Sequence, residues 1–137
     1  MPQMIFVNLP VKDLEASKNF FGKLGYGFNP QFSDETAACL IISDTIFFML
    51  ITESRFKEFT KKEIADAEKT TEAILCLSAD SRAKVDEMAD AALASGGFPA
   101  NAPMDEGFMY SRSFEDPDRH LWEVMWMDPA AVEGGQA

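Results

Sequence analysis

The chain has one histidine, two cysteines and only 12 Lys and Arg against 23 Asp and Glu in its 137 residues. Each scarcity excludes something. At a formal net charge of −11 there is no cationic footprint for a phosphate backbone or an anionic membrane surface, so no nucleic-acid partner is expected. Cys39 and Cys76 lie inside apolar, strand-like runs, and Met1-Pro2-Gln3-Met4 carries no basic region leading into a signal-peptide core. The expected compartment is reducing and cytoplasmic. The most apolar stretch, Ala37 to Ile51, is interrupted by Ser43-Asp44-Thr45, short of the roughly 20 apolar residues that a membrane span needs. It reads as a hairpin, and no membrane partner is expected. His120, without an evident orienting partner, reads as a turn or surface residue and not as a general base.

What is present is ample material for a core: 47% of residues are hydrophobic, with 12 Phe and 8 Met. Ile5 to Leu9 is a β-type run, Asp13 offers a cap, and Leu14, Phe20, Phe21 and Leu24 lie along one side of a helix stopped by Gly25. Strands are expected at Phe28 to Phe32, Thr36 to Ile42 and Thr45 to Thr52. From Glu53 to Thr71 the chain turns polar, with Phe56, Phe59 and Ile64 as apolar anchors and Thr60-Lys61-Lys62-Glu63 as a candidate capping box, which predicts a helical linker. The first pattern then recurs: an apolar run from Ala73 to Leu77, a cap at Asp80-Ser81, a helix carrying Val85, Met88, Ala92 and Leu93, and a stop at Gly96-Gly97. Strands follow at Phe98 to Ala102, Gly107 to Phe114 and His120 to Met127. Asp13 and Asp80 are 67 positions apart, as a duplicated supersecondary unit would place them. The expected class is therefore α+β, one domain over 1–137 built from βαβββ modules 1–52 and 72–128, with linker 53–71 and a flexible tail 129–137.

The last two strands meet at Asp116-Pro117-Asp118, where proline presets φ and aspartate side chains bond nearby N–H groups. Leu121 to Met127 is then apolar and aromatic except for Glu123. A carboxylate inside such a strand must lie on an open face, be paired, be protonated or hold a ligand.

These motifs resemble the vicinal oxygen chelate superfamily, which includes the glyoxalases, bleomycin-resistance proteins, fosfomycin-modifying enzymes and extradiol dioxygenases. Asn8-Leu9-Pro10-Val11-Lys12-Asp13-Leu14, then Phe20-Phe21 and Leu24-Gly25, are similar to its first-module signature, and Asp116-Pro117-Asp118-Arg119-His120-Leu121-Trp122-Glu123 to its Asp-Pro-Asp-Gly turn and Glu-bearing strand. Arg119 departs at the glycine position. The resemblance implies two modules forming an incomplete, antiparallel-rich barrel around a cavity, and commonly a homodimer. Catalytic members hold a divalent metal there, but the usual ligand positions fall on Phe6, Ile74 and Phe48 or Met49, and only Glu123 matches. No cofactor is expected; the alternative is a divalent metal ion with Glu123 among its ligands.

Strand alternation then assigns a lining: Phe6, Asn8 and Pro10; Ile74, Cys76 and Ser78; Met109, Ser111 and Ser113; Leu121, Glu123 and Met125; to these the resemblance adds Phe48, at its fourth-strand position. An apolar wall with few polar groups suits a small, largely apolar ligand. Cys76 reads as an inert thiol with no basic neighbour in sequence. Three functions compete: metal-independent small-molecule binding; a glyoxalase-like lyase or isomerase using Glu123 as general base or metal ligand; and a non-catalytic module whose own side chains fill the pocket.

Overall fold

The computed structural model describes residues 2–134, the side chains of 132–134 excepted. In the first half, Asp13 keeps an extended backbone while its carboxylate accepts the Ala16 N–H at 3.1 Å, starting α1 (Leu14–Lys23). Leu14, Ser17, Phe20 and Phe21 form the buried stripe of that helix. Gly25, at φ +100°, takes the left-handed turn that ends it. Strands β1 (Ile5–Val11), β2 (Gly27–Asn29), β3 (Ala37–Ile41) and β4 (Ile46–Thr52) form a sheet in the order β1-β4-β3-β2. The β1–β4 pair is parallel and the others antiparallel. Parallel neighbours need a crossover, and α1 lies on that path, packed on β3 and β4.

Two expectations fail here for local reasons. The strand over Phe28–Phe32 stops at Asn29, because Pro30 lacks an N–H for the ladder; Pro30–Phe32 form a 3-10 turn, with the Asn29 side chain accepting the Gln31 N–H at 2.9 Å. The linker 53–71 is helical only at α2 (Glu53–Phe56). Thr60 caps no helix: its hydroxyl accepts the Lys62 N–H at 3.1 Å, a local turn that competes with one.

The second half repeats the topology. Ser81, not Asp80, caps α3 (Arg82–Ala94), accepting the Lys84 N–H at 3.1 Å. Val85, Ala89 and Ala92 are the buried face of α3, which packs on the sheet. Strands β5 (Ile74–Ser78), β9 (Leu121–Met127), β8 (Met109–Glu115) and β6 (Phe98–Pro99) line up in that order, and β7 (Met104–Asp105) also pairs with β8. The strand expected from Phe98 to Ala102 is thus two residues long, and β7 was not anticipated. Beneath α3, Arg112 reaches Asp86 and Asp90 at 3.1 and 2.8 Å, and the Tyr110 hydroxyl donates to Asp86 at 2.6 Å.

The Asp-Pro-Asp turn is organised by a buried carboxylate. Asp116 is only 2% exposed. Its Oδ1 accepts the N–H groups of Asp118 and His120 at 2.9 and 3.1 Å, and its Oδ2 the indole N–H of Trp122 at 2.9 Å. Burial pushes the Asp116 pKa up to about 6 against the opposing pull of His120 and the Trp122 N–H. Arg119 sits at φ 71°, where glycine would be unstrained. Its guanidinium meets Glu115 at 3.1 Å and lies 3.6 Å from the Phe98 ring centroid.

The chain divides into two compact units between Thr70 and Thr71. Its class is α+β, with two sheets and no closed barrel among the described residues. Of the segment expected as a tail, Pro129–Gly134 form α4, and residues 135–137 lie outside the described ones. No helix among the described residues is long and apolar enough to cross a membrane.

Candidate functional site

In the second unit, the register brings Cys76, Glu123 and Ser113 into one row across β5, β9 and β8. Ile74 and Leu121 make the row on one side, and Ser78, Met125 and Ser111 the row on the other, with Met104 of β7 beyond. The nine lining residues expected in this half, Met109 included, therefore share a face, as their alternation requires. The opposite face carries Phe114, Trp122 and Val124, all buried and on the α3 side. Ile74 is 53% exposed, Glu123, Leu121 and Met125 are half-buried and Ser111 is buried, so the lining face is open at its β5 edge.

Glu123 makes no hydrogen bond or ion pair with any described residue of its unit. Its charge, after partial burial, raises the pKa of the Cys76 thiol, which keeps that sulfur protonated and unreactive. Cys39 is also a free thiol, raised by burial. The Ser113 hydroxyl accepts the Asn101 N–H at 2.8 Å and donates to the Asn101 carbonyl at 3.3 Å, holding the connection between β6 and β7. His120 lies at the foot of β9, its N–H bound to Asp116, outside the lining rows.

In the first unit, Phe6, Asn8 and Pro10 share a face with Phe47, Met49 and Ile51. Phe48 does not: it registers with Val7 and Leu40 and is 3% exposed on the opposite, α1-covered face. Its place in the expected lining passes to Phe47, whose ring stacks on Phe6 at 4.9 Å, and to Met49. The same face holds a pocket of about 310 Å³. Asn8, Ala37, Met49 and Ile51 form its floor, the turn after β2 one wall, and Arg55 and Phe59 another. The Asn8 side-chain amide donates to the Phe6 carbonyl at 3.0 Å, which leaves its oxygen as an acceptor. Arg55 lies over the Phe59 ring at 4.9 Å and pairs with Glu58 at 2.6 Å. The lining role of Arg55 and Phe59 was missed in sequence; the apolar anchors of the linker were the available signal.

Among the described residues no three His, Cys, Asp or Glu side chains lie where they could share one ion. In the first unit Phe6, Phe47 and Met49 carry no hard donor, and in the second Ile74 carries none and Glu123 a single carboxylate.

Residues 3–43 match the family described as bleomycin resistance protein-like N-terminal. No curated protein matches the chain. Among solved structures, a hypothetical protein from S. aureus is 25% identical with a TM-score of 0.77, over 92% of this chain and 95% of that one. A glyoxalase/bleomycin resistance protein/dioxygenase family enzyme from Burkholderia phytofirmans PsJN is 17% identical with a TM-score of 0.78, over 92% and 99%. A fosfomycin resistance protein from Mesorhizobium loti is 15% identical with a TM-score of 0.69, over 97% and 98%. The chain has the glyoxalase-like fold of these neighbours, and with the N-terminal family match this is consistent with the vicinal oxygen chelate superfamily.

Proposed function

We propose that this protein reversibly binds a small, largely apolar molecule on the open sheet face around Glu123, without a divalent metal. The observation that carries the reading is the row Cys76, Glu123 and Ser113, flanked by Ile74, Leu121, Met125 and Ser111 on one accessible face, with a carboxylate that has no partner in its own unit. A carboxylate left so is an anchor for a ligand group. On the first unit, the pocket above Asn8 and Met49, next to the stacked Phe6 and Phe47, extends the same character of apolar wall and sparse polar atoms. Two free thiols suit a reducing compartment such as the cytoplasm. The protein works as a homodimer, which light scattering on a sizing column tests.

A thermal-shift screen of aromatic and cationic compounds tests binding, since a ligand that prefers the native state raises its melting temperature by linkage. At least one compound class should do so without being turned over; a flat screen would sink the reading. Elemental analysis of protein purified without chelator should find no stoichiometric divalent metal. A stoichiometric metal would instead favour a glyoxalase-like lyase or isomerase with Glu123 as a ligand, and turnover lost in Glu123→Gln without metal would favour Glu123 as general base.

A further inference from the structure

Beyond Thr70 the sequence carries 13 Asp and Glu against four Lys and Arg. All four cations are engaged away from Glu123. Arg82 pairs with Asp105 at 2.8 Å, Lys84 with Glu87 at 3.2 Å, Arg112 with Asp86 and Asp90 at 3.1 and 2.8 Å, and Arg119 with Glu115 at 3.1 Å. Arg82 also lies over the Tyr110 and Trp126 rings, on the α3 side of the sheet. Within its unit Glu123 is therefore a negative charge with no internal counter-charge, and its field reaches the neighbouring Cys76 thiol.

Around that carboxylate the open face carries apolar, sulfur-bearing side chains, with Ser78, Ser111 and Ser113 as its other polar groups. Leu121 and Met125 flank it along β9, Cys76 lies beside it on β5, and Met109 and Met104 continue the face. Any molecule that covers these side chains takes Glu123 out of water. A neutral apolar molecule would leave a desolvated, unpaired charge, and the cost would cancel much of the gain from covering the face. A molecule with a positive charge beside its apolar body converts the same burial into attraction. Thioethers are polarizable and flexible, so they fit aromatic rings of varied shape.

We propose that the open face of the second unit selects lipophilic organic cations, with Glu123 as the counter-charge and Cys76, Met109 and Met125 as an adaptable wall. This rests on the small-molecule reading above and deepens it by fixing the sign of the ligand's charge.

Three probes of one shape separate charge from size: 1-methylquinolinium, 1-methylnaphthalene and 1-naphthoate. Their dissociation constants for the full chain are measured at neutral pH and low salt from amide and methionine-methyl NMR shifts. The cation should bind at least about tenfold tighter than the neutral probe, and the anion weakest, with shifts concentrated at Met109 and Met125. Glu123→Gln should bring the cation to within about threefold of the neutral probe and leave the neutral probe's affinity unchanged or improved. Equal affinities for all three in the wild type overturn the charge selection while small-molecule binding stands. No binding by any probe at millimolar concentration overturns both. Should Glu123→Gln fail to fold, as read by circular dichroism, the wild-type series decides with its salt dependence: a charge-selected cation weakens as salt rises, and the neutral probe does not.

Discussion

Replacing Asp116 by alanine removes the acceptor of three N–H groups at once, and the cost can be worked from their environments. The Trp122 side chain is 1% exposed, so its orphaned indole N–H carries a desolvation penalty of about 1–3 kcal/mol. The Asp118 and His120 amides lose a turn-closing acceptor at about 1 kcal/mol each. The total, roughly 3–5 kcal/mol, is a large share of the about 5–15 kcal/mol that holds an ordinary domain together. Asp116→Asn keeps Oδ1 for the two turn amides but sets an amide N–H against the indole N–H, so it should cost about 1–3 kcal/mol. Adding Trp122→Phe removes that opposition, and the double variant should be less damaged than the sum of the singles by about 1–2 kcal/mol. Urea unfolding followed by tryptophan fluorescence and circular dichroism measures wild type and the four variants.

The pH dependence has a definite sign. The Asp116 pKa, about 6, lies above the ordinary 3.8, so the proton favours the folded chain. That contribution is fully present below about pH 4 and lost as pH rises through about 6, amounting to roughly 3 kcal/mol in all. The stability of wild type relative to Asp116→Asn, which does not titrate, should therefore fall across this window. An alanine cost below about 1 kcal/mol, strict additivity of the double variant, or a relative stability that rises with pH would each refute this account of the turn.

Arg119→Gly relieves a left-handed backbone at φ 71° but gives up Glu115 and the Phe98 ring, terms of about 1 kcal/mol each way, so its urea midpoint should stay close to wild type. Arg119→Val, β-branched in the same backbone and without either contact, should lose about 2 kcal/mol or more. Thr52 has a buried hydroxyl without a hydrogen-bond partner among the described residues; Thr52→Val, nearly isosteric, should raise stability by roughly 0.5–1 kcal/mol, and a loss would show that the hydroxyl is satisfied. Arg82 holds the Asp105 carboxyl at about 2 through its side-chain hydrogen bonds. Arg82→Met should let that pKa climb toward the ordinary carboxylate value in an NMR titration, and an unchanged value would make the Gly107 N–H its main cause.

The local devices of this fold could be read from the chain because each is closed within a few residues. Asp13 and the Asp80-Ser81 pair announce the helix starts, Gly25 and Gly96 the stops, and Asp-Pro-Asp the last hairpin, through contacts reaching two to four positions along the sequence. Period-2 alternation likewise placed Ile74, Cys76, Ser111, Ser113, Leu121, Glu123 and Met125 on one face, since it is a property of the strand itself. Even the errors at Pro30 and Thr60 were local competitions, decided by a missing N–H and a turn-forming hydroxyl.

Other features depend on partners distant in sequence, and only the tertiary structure decided them. Phe48 belongs to the core because β4 pairs with β1 in the register Asn8 to Met49, which turns Phe48 toward α1. Arg55 and Phe59 became pocket walls when the chain after β4 folded back beside the turn at Pro30–Phe32. Arg82 and Arg112 found their carboxylates far along the chain, at Asp105 and at Asp86 and Asp90, pairings that leave Glu123 uncompensated in its unit. Sequence determined which residues could form each element and which side of it they share; register, burial and charge pairing depend on which elements meet, and the folded chain alone brings those together.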